Sequence, residues 1–133
     1  MCLDRLGDFP VPELVGWKVF RKLGRSHDAV LAPILFRKPD LEFPPNIWIS
    51  DPVNLLTIGY EGIKYKTGFH IFIDEKEAEQ YRIKAAYHFV WFDSSNLVVR
   101  KIYFKEVVAK GFQESFLDTW KVIVAKQMFI CDE

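Results

Sequence analysis

The chain has few of the residues on which recognisable motif chemistry depends. It contains three histidines and two cysteines in 133 residues. His27, His70 and His88 do not fall at metal-ligand spacing, no HExxH occurs, and neither Cys2 nor Cys131 has a CxxC neighbour. The common zinc and dithiol motifs are therefore excluded, and neither a metal site nor a cofactor is expected. Ser26, Ser50, Ser94, Ser95 and Ser115 all lie outside a G-x-S-x-G elbow. There is no P-loop and no G-x-G-x-x-G fingerprint. No apolar run approaches the ~18 residues that cross a bilayer. The opening Met-Cys-Leu-Asp-Arg-Leu-Gly-Asp lacks the apolar stretch of a secretory leader, so a cytoplasmic protein with two free thiols is expected. A Cys2–Cys131 bond would require the termini to meet.

Charge of either sign is not in excess, since Lys+Arg and Asp+Glu both number 18. That balance argues against generic nucleic-acid binding, while leaving room for one local basic patch. What the chain does have is aromatic bulk: twelve Phe, five Tyr and four Trp. With half the residues hydrophobic, a well-filled core in one domain spanning 1–133 is expected.

Periodicity outlines the elements. Val15, Trp17 and Val19 alternate with Lys18 and Lys22 opposite, which reads as a half-buried strand ended by Gly24. Residues 29–36 are apolar but contain Pro33, the mark of an edge strand. Residues 47–49 form a short strand, and 51–66, with Gly59 and Gly62, a loop. Residues 68–73 alternate again. Asp74 and Glu77 then have the spacing of a capping box for a helix from Glu75 to about Ala86, with Ala78, Tyr81 and Ala85 on its inner face. A strand over 87–92, a turn at 93–96, a strand over 97–108, a turn or bulge at Gly111 and a last strand over 120–130 follow. In that strand Trp120, Val122, Val124, Met128 and Ile130 are in phase. The class is α+β: a twisted antiparallel sheet of five to seven strands, open or partly closed into a barrel, with one main helix.

Two sets of candidate site residues emerge. Glu75 and Glu79 give the helix an acidic face, and Trp48 and Tyr60 lie in long connections; these four suit contact with a protein partner. His70, between two phenylalanines and just before the helix, suits a pocket mouth. With Tyr60, Arg21 and Lys101 it could hold a nucleotide-like anion. Lys105, Lys110, Lys121 and Lys126 would extend a positive face if their strands are adjacent.

Three segments in order, Gly16-Trp-Lys-Val-Phe-Arg-Lys22, Gly68-Phe-His-Ile-Phe followed by Glu77-Ala-Glu-Gln-Tyr81, and Val98 through Gly111 with Val122 through Ile130, resemble small uncharacterised proteins of bacteriophage and mobile-element genomes. Those proteins often open with Met-Cys-Leu and carry a GFH strand before a short helix. The resemblance spans residues 14–130 and brings no catalytic residues with it. It implies an accessory protein that blocks host defence, by binding a defence protein or by sequestering its nucleotide signal. The leading expectation is a non-enzymatic inhibitor, anti-CRISPR-like, that occupies a host protein's surface without touching membrane. A small-ligand binder or small enzyme acting on a nucleotide-like anion is the second. A structural or self-associating phage protein is the third.

Overall fold

The computed structural model describes residues 3, 5–7, 9, 14–23, 30–33, 43–51, 56–58, 64–66, 68–88 and 97–131. In chain order the elements are β1 (Arg5–Leu6), β2 (Val15–Leu23), β3 (Val30–Pro33), β4 (Trp48–Ser50), β5 (Leu56–Ile58), β6 (Lys64–Lys66), β7 (Phe69–Phe72), α1 (Glu75–His88), β8 (Leu97–Ser115) and β9 (Asp118–Ile130). Every strand pairing is antiparallel. One helix beside a mostly antiparallel sheet makes the class α+β, as the sequence predicts.

Seven strands form the main sheet, and β5 pairs with β6 in a separate two-stranded ribbon. That ribbon corrects the expected loop over 51–66, where each strand is only three residues long and too short for alternation to register. β8 pairs with β2, β2 with β7, β7 with β9, and β9 again with β8. The link between β2 and β7 is the single pair Trp17–Phe72. Gly16 makes that crossing possible. A Cβ there would lie 2.4 Å from Ile71 Cγ2 and 2.6 Å from the Phe72 carbonyl oxygen, closer than packed atoms approach. Pro33 stands on β3, which among the described residues pairs with β2 alone, as suits an imino acid.

Each face of the sheet carries a buried cluster. Against α1 lie Val19, Phe72, Leu97, Trp120, Val122 and Val124, together with the inner helix residues Ala78, Tyr81 and Ala85. On the opposite face Phe20, Ile71, Ile102, Phe104, Ile123, Met128 and Ile130 form a second cluster with Phe9 and Phe43. Burial in β2 is not confined to one face. Phe20 is fully enclosed on the side assigned to solvent, because a second core covers it. β9 does not keep one phase either: Trp120, Val122 and Val124 face the helix, whereas Met128 and Ile130 face the other core. The switch lies beside a register shift in β8 between Val107 and Ala109, next to Glu106 with φ 59°.

The helix starts where its cap predicts. Asp74 Oδ1 accepts from the Lys76 amide at 2.8 Å, and the Asp74 carbonyl accepts from the Ala78 amide at 3.1 Å. Glu77 turns to the sheet, where its carboxylate accepts from the Lys121 backbone N–H. Burial first, then the charge of Asp74, raises its pKa. Tyr87 and His88 complete the helix rather than opening a strand; the rest of the 87–92 segment and the 93–96 turn lie outside the described residues. Gly111 makes no turn. β8 continues through it to Ser115, and the reversal into β9 falls at Phe116 and Leu117, with φ 53° and 63°.

Candidate functional site

The two sets of sequence candidates are redistributed by the fold. Tyr60 lies outside the described residues. Trp48, expected to contact protein, and Lys101, expected to contact an anion, fall on one sheet face. Cα partners in an antiparallel ladder share a face. Trp48 stands opposite Phe129, Phe129 opposite Tyr103, and Tyr103 opposite Val15. The result is an apolar row across four strands. Its ring centroids are 5.7 Å apart from Trp48 to Phe129 and 6.2 Å from Phe129 to Tyr103. Trp48 and Tyr103 are each 40% exposed.

Two lysines lie on these rings. Lys105 Nζ is 3.8 Å from the Trp48 centroid, and Lys101 Nζ is 5.4 Å from the Tyr103 centroid. Both lysines are exposed, and among the described residues neither forms an ion pair. Alternation in Lys101-Ile-Tyr-Phe-Lys105 places them with Tyr103, while Ile102 and Phe104 point to the core. The wider positive face does not assemble. Lys110 Nζ donates to the Phe9 carbonyl at 3.1 Å, and Lys126 pairs with Asp51 at 4.0 Å.

His70 lies on β7, between β2 and β9 in the sheet. It pairs with Val124 on β9, and burial, reinforced by the positive charge of Lys18, brings its imidazole down to about 3. It is neutral at any physiological pH and supplies no charge to an anion. Lys18 Nζ donates to the His70 carbonyl at 2.8 Å, and burial lowers its ammonium to about 8. The sequence placed Lys18 in solvent; it is instead partly buried on the second face. Arg21 pairs with Leu97 and Trp17 with Lys101, so Arg21 and Lys101 stand four positions apart along β2, ~13 Å. Arg21, Lys101 and His70 thus form no single anion cradle among the described residues.

The helix and the β8–β9 turn make a second exposed surface. Glu75 is exposed, but Glu79 accepts from Arg82 Nε at 2.9 Å, so the acidic face is partly neutralised. Ile83 and Tyr87, one helical turn apart, are 54% and 82% exposed. The turn is fastened to α1: Lys84 pairs with Asp118, and the Phe116 and Tyr81 rings meet at 5.3 Å. Trp120 Nε1 donates to the Ser115 carbonyl at 3.1 Å. Between these anchors Leu117 is 105% exposed, with no other residue over it. Sequence reasoning missed it, because Phe116-Leu117 carries neither the Gly nor the Asn that a turn with positive φ normally uses. Phe129 stands out of phase with Met128 and Ile130, but it becomes a candidate only through its pairing with Trp48 and Tyr103 across strands, which the sequence does not show.

Cys131 is a free thiol, and Cys2 lies outside the described residues. Among the described residues no group of His, Cys, Asp and Glu could hold a metal ion, and no helix is long and apolar enough to cross a membrane. Comparison with protein-family models, curated proteins and solved structures found no match.

Proposed function

We propose that this chain is a non-enzymatic binding protein of phage type that acts by occupying the surface of a host defence protein. Leu117 carries this reading. A large aliphatic side chain kept wholly in water, on a turn whose two central residues both have positive φ, works against the fold. Contact with a partner gives it a purpose. Ile83 and Tyr87 supply the neighbouring apolar area, and Glu75 a polar rim, which is the make-up of a protein-binding patch. The anchors from Lys84 and Tyr81 hold the turn against the helix before binding, so little ordering is left to the encounter. The cycle of pairings among β8, β2, β7 and β9 supports reading the sheet as partly closed into a barrel, a stiff support for such a patch.

The test is quantitative capture from host lysate by immobilised wild-type, Leu117→Asp and Trp48→Ala proteins. A defence protein retained by wild type and by Trp48→Ala, but lost with Leu117→Asp, supports the reading. Equal retention by all three removes Leu117 from the contact and refutes it.

A further inference from the structure

We infer that the Trp48–Phe129–Tyr103 row is a binding site for single-stranded nucleic acid, separate from the protein contact at Leu117. Three rings on three adjacent strands, each tilted 51–54° to its neighbour, form an aromatic strip with Trp48 and Tyr103 exposed at its ends. Unpaired bases stack on such strips because every base has a flat face of its own, whereas duplex bases are hidden in the helix. The charge of the strip suits the same ligand. The outward positions are Trp48 and Ser50 on β4, Gln127 and Phe129 on β9, and Lys101, Tyr103 and Lys105 on β8. They hold two cations and no carboxylate. Of the acids beside it, Glu106 at the bulge accepts from Gln127 Nε2 at 2.7 Å, and Asp51 pairs with Lys126.

The positions of the ammonium groups add to this. Lys105 and Lys101 lie over the rings that a base would cover. A bound strand would displace them to its phosphates, so one movement supplies both stacking and charge pairing. A protein partner on the same strip would have to bring carboxylates of its own to that spot. The chain's zero net charge is compatible with this site, because the cations are concentrated on one face.

Fluorescence anisotropy tests the inference, with labelled oligothymidylate and oligouridylate of about 16 nucleotides. Wild type is expected to bind, with a logarithmic salt slope of about −1.4 for two phosphate contacts. Trp48→Ala and Tyr103→Ala are each expected to weaken binding by roughly 5- to 160-fold. Lys101→Gln with Lys105→Gln flattens the slope. These lysines are exposed, so this variant tests the site even where a ring variant fails to fold. Leu117→Ala leaves the affinity unchanged, which keeps this site distinct from the protein contact. A preference for thymidylate or uridylate distinguishes DNA from RNA, and either supports the site. Three results would overturn it: no binding at about 100 μM, the weak end of non-specific affinity; equal affinity for a duplex of the same length; or binding that the ring variants leave intact. Loss of a captured host protein in the row variants, without any oligonucleotide binding, would assign the face to protein and overturn it as well.

Discussion

Replacing Leu117 by glycine should stabilise the fold and abolish partner binding in one step. Leu117 has φ 63° and is fully exposed, so removing its side chain forfeits no buried area. A non-glycine residue in the left-handed region carries roughly 1–2 kcal/mol of strain that glycine relieves. Glycine also loosens the unfolded chain, which costs about 0.4–1 kcal/mol. The net expectation is about 0.5–1 kcal/mol of stabilisation, or about 2–4 °C in Tm for a chain near this size. Urea unfolding followed by Trp fluorescence is the assay, with the midpoint rising and the slope unchanged. Leu117→Ala is the control, because it keeps the strain while removing the side chain and should leave the midpoint where it was. If Leu117→Gly lowers the midpoint, the turn is not strained and Leu117 is no longer an anomaly needing a function. If it raises the midpoint and partner capture persists, the strain is real but unrelated to binding.

Three further outcomes follow from the packing. Gly16→Ala would force a Cβ to within 2.6 Å of the Phe72 carbonyl, a backbone atom that cannot rotate away, so a loss of about 1–3 kcal/mol or failure to fold is expected in thermal melts. Tyr81→Phe removes the hydroxyl that bonds the buried Gln113 amide and should cost about 1–2 kcal/mol, read as a lower urea midpoint. The pH profile should slope in two windows. His70 titrates near 6.5 unfolded and about 3 folded, so the unfolded state binds the extra proton between those values and stability falls as pH drops through them. Lys18 titrates near 10.5 unfolded and about 8 folded, so stability rises with pH across that interval; His70→Gln should flatten the acid window and Lys18→Met the alkaline one.

The helix was legible because three independent local signals agree there. Asp74 caps it, acidic residues fill its first turn, and Ala78, Tyr81 and Ala85 repeat at helical spacing; all three inner residues are buried. The strands were legible as segments but not in their faces. Alternation of Val15, Trp17 and Val19 with Lys18 and Lys22 marked one inner face of β2 and could not reveal the second core over Phe20, because burial on both faces is a property of topology. The β8–β9 reversal was misplaced for a different reason. Gly111 is a turn signal only where the chain needs its freedom, and here it lies mid-strand beneath Leu6, while the turn itself uses residues that resist the conformation.

The candidate sites were less legible than the fold, because site residues act in sets and the sets are made by pairing across strands. Trp48 and Lys101 were assigned to different partners because they are 53 positions apart in the sequence. β9 joins them, by pairing with β4 on one side and β8 on the other, and the intervening Phe129 completes the row. The converse holds for His70 and Lys101, which were grouped as candidates to hold one anion. One is a neutral group against the sheet and the other an exposed cation over a tyrosine. The surplus apolar exposure then separates cleanly into two chemistries. Around Leu117, Ile83 and Tyr87, Lys84 pairs with Asp118 and Glu79 with Arg82, which leaves Glu75 as a charged rim and suits a largely uncharged protein surface. At Trp48 and Tyr103 the neighbouring cations have no paired acid among the described residues, so an anionic ligand fits. In the two readings proposed above, whether local charges are already paired, more than the number of exposed rings, distinguishes the surfaces.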